Sequence, residues 1–249
     1  MLLEICVDSL ASARAAIAGG ADRIELCSAL LAGGLTPFTA LLRQIREESD
    51  IPVRCLMRPR AGDFLYCPEE LELMRRQILE LKQAGASGFV IGCLSAEGAL
   101  DEAAMRPLMD AAGGLGVTLH RCIDVSHDPV QTYRAAQAMG IDTVLTSGAA
   151  AACLQGEAVL AQLLQLQEQE NGPQVLIGAG VNAAAIRHFR SRYPQAQAFH
   201  MSGKKELESG MIFRRAGVPM GLPGLDEWHI QQTDEENVRT AKAILEASK

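Results

Sequence analysis

Short apolar runs recur along this chain about every 28 residues, with an amphipathic stretch in each gap, and this period constrains the fold more than any other feature. The runs lie at residues 2–7, 23–27, 52–58, 88–93, 117–124, 143–147, 174–178 and 198–202. Several follow a helix that closes on glycine, as in AIAGGADRIELC, LKQAGASGFVIGC and AQAMGIDTVLTSG. Glycine adopts the left-handed conformation that ends a helix, so each stretch reads as helix, cap, strand. Residues 68–84 carry Leu71, Met74, Ile78 and Leu81 at helical spacing, and residues 155–170 repeat Leu160, Leu163, Leu164 and Leu166. Eight such units predict a (β/α)8 TIM barrel. A doubly wound sheet is the alternative, but the chain lacks the GxGxxG turn that often accompanies one. No Pro- or Ser-rich linker divides it, so residues 1–249 are expected to form one domain. The period breaks at residues 213–234, predicting an irregular loop near 203–233 before a closing helix at 234–248.

Composition removes several classes of function. A net charge of −7 argues against nonspecific nucleic-acid binding, which needs basic surface. No apolar run approaches the roughly 20 residues that span a bilayer. The opening MLLEICVDS has no basic leader segment and reads directly as a strand. Seven cysteines, an odd number with no CxxC pair, suit a reducing cytoplasm.

In a barrel of this kind function gathers where strands end, because the loops there form the active face. The densest such end is Thr118-Leu119-His120-Arg121-Cys122-Ile123-Asp124. Buried strands are normally apolar, and polar groups are costly there unless they are paired or meet a ligand. Other ends supply Glu4 and Cys6, Glu25 and Cys27, Arg58 with the loop PRAGDFLY, Ser147, Gly178 and Gly180, and His200 with Ser202. Period-two alternation places Glu4 with Cys6, Glu25 with Cys27, and His120 with Cys122 and Asp124 on common faces.

Each residue also has a plainer role. Cys55, Cys93 and Cys122 read as small buried hydrophobes. Cys6 and Cys27 lie on neighbouring strands, so they are either filler or a pair of thiol ligands for Cu(I). Glu4 and Glu25 could pair with Arg23, Arg54 or Arg58 as structural ion pairs. The turns around Ser147, Gly178 and Gly180 are either tight turns or backbone cradles for an anion. His127, His188 and His229 read as surface residues, whereas His120 and His200 stand at strand ends and could serve as acid, base or ligand.

Several segments together resemble the CutC family. They are LLEICVDS at 2–9, GADRIELCSA at 20–29, GGLTPF at 33–38, RPRAGDFLY at 58–66, LHRCID at 119–124, LTSG at 145–148, GAGV at 178–181 and HMSG at 200–203. The resemblance runs from the first predicted strand to the eighth and fades after Gly203. Where family members often carry Phe, Ala and Phe, this chain has Leu119, Cys122 and Ile123, so the polar set is kept. The resemblance implies a TIM barrel, a homo-oligomer (dimer or tetramer) and cytoplasmic copper handling, with Cu(I) on Cys6 and Cys27.

Two expectations of different kinds follow. One is a copper-homeostasis protein binding Cu(I) through Cys6 and Cys27. The other is an enzyme (a lyase, isomerase or hydrolase) acting on a small polar substrate, sugar-like or phosphorylated. There Glu25 and His120 would exchange protons, Arg58 and Arg121 would hold an oxyanion, and Asp124 would orient His120. His200 would complete the catalytic set, with Glu4, Ser147, Gly178, Gly180 and Ser202 binding the substrate or its anionic end. A hard divalent ion on Glu4, Glu25, Asp124 and His120 is a variant of the second.

Overall fold

A computed structural model describes residues 1–218, 220–221 and 226–247. Eight parallel strands close into a barrel: β1 (Leu2–Val7), β2 (Arg23–Leu26), β3 (Val53–Leu56), β4 (Gly88–Ile91), β5 (Gly116–Leu119), β6 (Thr143–Thr146), β7 (Gln174–Ile177) and β8 (Ala198–Met201), with β8 pairing back onto β1. Seven helices fill the gaps: α1 (Leu10–Ala18), α2 (Thr39–Glu48), α3 (Pro68–Gln83), α4 (Glu102–Ala112), α5 (Pro129–Ala138), α6 (Glu157–Glu170) and α7 (Ala183–Arg192). The fold is the expected TIM barrel.

Local chemistry sets the element boundaries. Ser9, Asp101, Asp128 and Asn182 each accept a backbone N–H from the first turn of the helix they open. Gly20, Gly85 and Gly140, the three glycines of the helix–glycine–strand pattern, all have positive φ. The main core lies between strands and helices, where Leu3, Ile5, Phe89, Phe189 and Phe199 are fully buried. Smaller apolar clusters, Cys27–Leu56–Val90 and Leu145–Leu176–Ala198, form separately from it. Arg54 ties the start of three strands together, donating to Thr118 Oγ1 at 2.6 Å, Asp142 Oδ1 at 2.8 Å and Thr143 Oγ1 at 3.2 Å. No helix among the described residues is long and apolar enough to cross a membrane.

Two expectations need correction. Strand five stops at Leu119, and Arg121–Val125 forms a 3₁₀ turn instead. The cause is local: the His120 ring accepts the Cys122 N–H at 3.2 Å, and Asp124 turns to bond the loop after β6. Such side-chain bonds compete with strand pairing. Period-two alternation therefore fails across residues 120–124.

The stretch 203–233 is also not wholly irregular. β9 (Lys204–Glu208) and β10 (His229–Thr233) pair antiparallel. The closing helix, α8, spans Glu235–Ala247, and Ser248 lies outside the described residues. The Lys242 ammonium reaches Asp22 at 2.6 Å, and the Thr233 N–H donates to Ser12 at 3.1 Å, so this tail closes over α1 and β2.

Replacing Arg54 by Leu should lower the unfolding free energy by about 2–3 kcal/mol in urea, because three hydrogen bonds to one guanidinium are lost together.

Candidate functional site

A chain of charge crosses the barrel beneath its C-terminal mouth. Strand register sets Arg23 and His200 on either side of Glu4. Arg23 Nε donates to Glu4 Oε2, and His200 Nδ1 lies 2.8 Å from Glu4 Oε1. Glu4 is wholly buried. Burial alone would raise its pKa, but the His200 hydrogen bond and the Arg23 and His200 charges outweigh that and hold it near 2. Burial opposes a charge on His200 as well, yet Cys6, Glu25 and Glu4 beside it lift its pKa well above the usual imidazole range. At neutral pH this chain therefore reads guanidinium, carboxylate, imidazolium.

Glu25 sits one layer higher, paired in register with Cys6. It is 6% exposed, and its Oε2 has no hydrogen-bond partner. Burial raises its pKa; His200 and Arg23 pull it down and Glu4 pushes it up, leaving it at about 7. Glu25 thus exists in both protonation states at neutrality, as a proton-transfer group requires.

His120 is a neutral donor. Burial first, and the Arg58 charge second, push its pKa down to about 3. Its Nδ1 accepts the Cys122 N–H, so in the neutral ring the proton resides on Nε2. That Nε2 is buried and has no partner. The Phe64 ring lies 4.7 Å from the His120 ring, and the Arg58 guanidinium stands 5.3 Å over Phe64. Arg58 donates to the Ala32, Gly34 and Gly62 carbonyls, while its buried Nε has no acceptor. Cys6, Glu25, Arg58, Phe64, His120 and His200 line one cavity of about 120 Å³, bounded also by Leu56, Leu145, Gly33 and Gly34.

Not every expected residue reaches this cavity. Asp124 does not orient His120. It accepts from Thr146 Oγ1 at 2.5 Å, from the Ser147 and Ala149 N–H groups at 3.0 Å, and from Arg121 Nε at 2.7 Å. Its own carboxylate therefore fills the backbone cradle that an anion would take at Ser147. Arg121 lines the cavity but is largely engaged by Asp124, Ser147 and Ala150. Gly178 donates to Thr146 O, and a Cβ there would meet Leu145 at 2.6 Å, which is a packing role. Gly180 turns the chain at φ 71°, and the Ser202 carbonyl accepts from Thr233 Oγ1. These loop residues do not converge on the cavity.

The cysteine pair separates in the same way. Cys6 lines the cavity, whereas Cys27 is fully buried with Leu56 and Val90 and donates to Val7 O at 3.5 Å. Burial, helped by Cys6 and Glu25, pushes the Cys27 thiol strongly up, so it stays protonated. A soft Cu(I) ion needs thiolates, and the other donors lining the cavity with Cys6 include His200 and Glu25, Cys27 lying behind them in its apolar cluster. The resident groups do not fit Cu(I) in this arrangement. Glu4, Glu25 and His200 place one ligand atom each within 4.8 Å of one another, a set suited to a harder ion, but Glu4 is already held by Arg23 and His200. Asp124 and His120 stand outside that set. Of the remaining histidines, His127 is exposed, while His188 and His229 are half-buried against Glu157 and against Asp226 with Glu208.

Sequence reasoning missed Phe64, Gly33, Gly34 and Gly92 as site residues. A Cβ on Gly92 would lie 2.4 Å from both His120 Cε1 and Cys122 Sγ, so this position must stay small. The doubled glycine at 33–34, at φ 88° and 82°, was the available signal.

A sequence profile described as the CutC family matches residues 1–205. A human relative named copper homeostasis protein cutC homolog is 39% identical, covering 98% of this chain and 88% of its own length. A family protein CutC of Xanthomonas axonopodis pv. citri is 46% identical over 99% of this chain and all of its own. Among solved structures, a CutC from Streptococcus agalactiae superposes with a TM-score of 0.75 at 24% identity, covering 81% of this chain and 98% of that one. A 3-hexulose-6-phosphate synthase from Salmonella typhimurium superposes at 0.58 with 14% identity over the full length of both chains, a likeness of fold alone.

Two results should follow. Because the folded pKa of Glu25 lies above its unfolded value, its proton stabilises the fold fully below about pH 4.5 and that stability is lost as pH rises to about 7. Urea titrations of Glu25→Gln should show a flatter stability profile over that window than the parent. Gly92→Ala should cost about 1–3 kcal/mol by forcing the His120 ring aside, measured by the same titrations.

Proposed function

The chain belongs to the CutC family, and from the mouth of its barrel we propose that it is an enzyme moving a proton at a carbon beside a carbonyl, an isomerase or lyase of a small polar molecule. One observation carries this reading: Glu25 and His120 line the same small cavity, and each holds a buried polar atom, Oε2 and Nε2, that has no partner. Glu25, poised at about 7, takes the proton as carboxylate and returns it as acid. His120, neutral with Nε2–H as donor, stabilises the negative charge that develops on the carbonyl oxygen. A neutral imidazole suits this role because its hydrogen bond strengthens as that charge grows. Arg23 and Glu4 lie off the cavity and His200 forms part of its wall; in this scheme the three set the field in which Glu25 titrates.

A second reading takes copper as cargo, as the names of the relatives suggest. The observation in its favour is Cys6, whose thiol lines the cavity beside His200. It requires Cys27 to leave its apolar seat and lose its proton. Reduced protein that bound Cu(I) one-to-one, and lost it in Cys6→Ala, would support that reading. We place the protein in the cytoplasm, where seven free thiols are stable. A homo-oligomer is supported by exposed Ile212, Phe213 and Met220 near the β9–β10 hairpin.

Proton NMR in D2O tests the enzymatic reading. Small ketones and oxo acids should exchange their carbonyl-adjacent hydrogens in the presence of the protein. Glu25→Gln should slow that exchange by about 10²–10⁴-fold, and His120→Ala by about 10²–10³-fold, with both variants folded by circular dichroism. Exchange indifferent to Glu25→Gln would remove the proposal.

A further inference from the structure

Arg58 enters no ion pair among the described residues. Three backbone carbonyls hold its terminal nitrogens, and carbonyls carry no charge to balance the guanidinium. The nearby His120 is neutral, and the carboxylates of Glu4 and Asp124 are committed to Arg23, His200 and Arg121. A half-buried cation that lines a small cavity, with one buried N–H left without an acceptor, calls for a ligand that carries the missing negative charge.

Size narrows the class. A dry cavity of about 150 Å³ accepts benzene, so about 120 Å³ takes roughly six non-hydrogen atoms. A phosphorylated sugar would have to extend out through the open side of this pocket. The backbone cradle at Ser147 that could have served a phosphate holds Asp124 instead. The second polar demand is an acceptor for the His120 Nε2–H. The apolar walls from Leu56, Phe64 and Leu145 suit a short carbon skeleton.

We infer that the cavity binds a short 2-oxo monocarboxylate of about three or four carbons, its carboxylate on the Arg58 Nε–H and its oxo oxygen on the His120 Nε2–H. The identification rests on the proton-transfer reading for the role of Glu25, which would face the carbon next to the oxo group. It rests on geometry alone for the two anchors. Arg58 then acts twice, pinning the loops at 32–34 and 62 across the mouth and selecting an anion beneath them.

Calorimetric titration of the full chain with pyruvate, propionate and ribose 5-phosphate tests this. Pyruvate should bind one-to-one and at least tenfold tighter than propionate, which lacks the oxo group, and ribose 5-phosphate should not compete. Arg58→Gln should weaken pyruvate at least tenfold. Should that variant not fold, the ¹⁵N shift of His120 Nε2 in the parent protein decides the matter, moving on saturation with pyruvate and not with propionate. Equal affinity for propionate, competition by ribose 5-phosphate, an unmoved His120 shift or no saturation by pyruvate would each overturn the inference. Pyruvate binding without deuterium exchange would keep the ligand and sink the proton-transfer reading. Exchange on a neutral ketone with no pyruvate binding would do the reverse.

Discussion

A carboxyl group buried at the mouth of a barrel must find a cation, keep its proton or meet a ligand, and the surroundings of Glu25 decide among these. Its nearest cations are already taken: Arg23 and His200 both hold Glu4, one layer below. That arrangement leaves Glu25 with burial raising its pKa and two spoken-for cations lowering it. The compromise near neutrality depends on Glu4 being fully ionised, which in turn depends on the imidazolium of His200. The reactive group of the site is thus a carboxyl deprived of a private counter-ion.

The other cavity groups follow the same logic of prior commitment. His120 is fixed as a donor because the turn after β5 uses its Nδ1. Arg121 and Asp124 pair with each other and with the loop after β6, so they brace the rim rather than meet a ligand. Arg58 directs its terminal nitrogens to carbonyls, which hold the loops but leave its charge unbalanced. Cys27 is sealed in an apolar cluster, which keeps it a thiol.

Much of the fold was legible because its signals are local and repeated. Gly20, Gly85 and Gly140 mark helix ends through a backbone conformation that side chains disfavour, and each announces the strand that follows. The strand ends likewise named Glu25, Arg58, His120 and His200 as a converging group, and all four line the cavity. What stayed hidden was pairing. Periodicity could not show that Asp124 bonds Ser147 rather than His120, because that choice arises from a turn created by side-chain hydrogen bonds. Nor could it show that of the neighbouring Cys6 and Cys27 only Cys6 lines the cavity. Phe64 and Gly92 carry no chemistry of their own, and only packing around His120 reveals their part.

Isotope-edited infrared spectroscopy of the Glu25 side chain, followed through a pH titration, tests the central claim most directly. A protonated carbonyl band that vanishes with a midpoint near pH 7 is the result this account predicts. A midpoint in the ordinary range for glutamate, about 4.3, would mean that Glu25 has a counter-ion after all, and would contradict it.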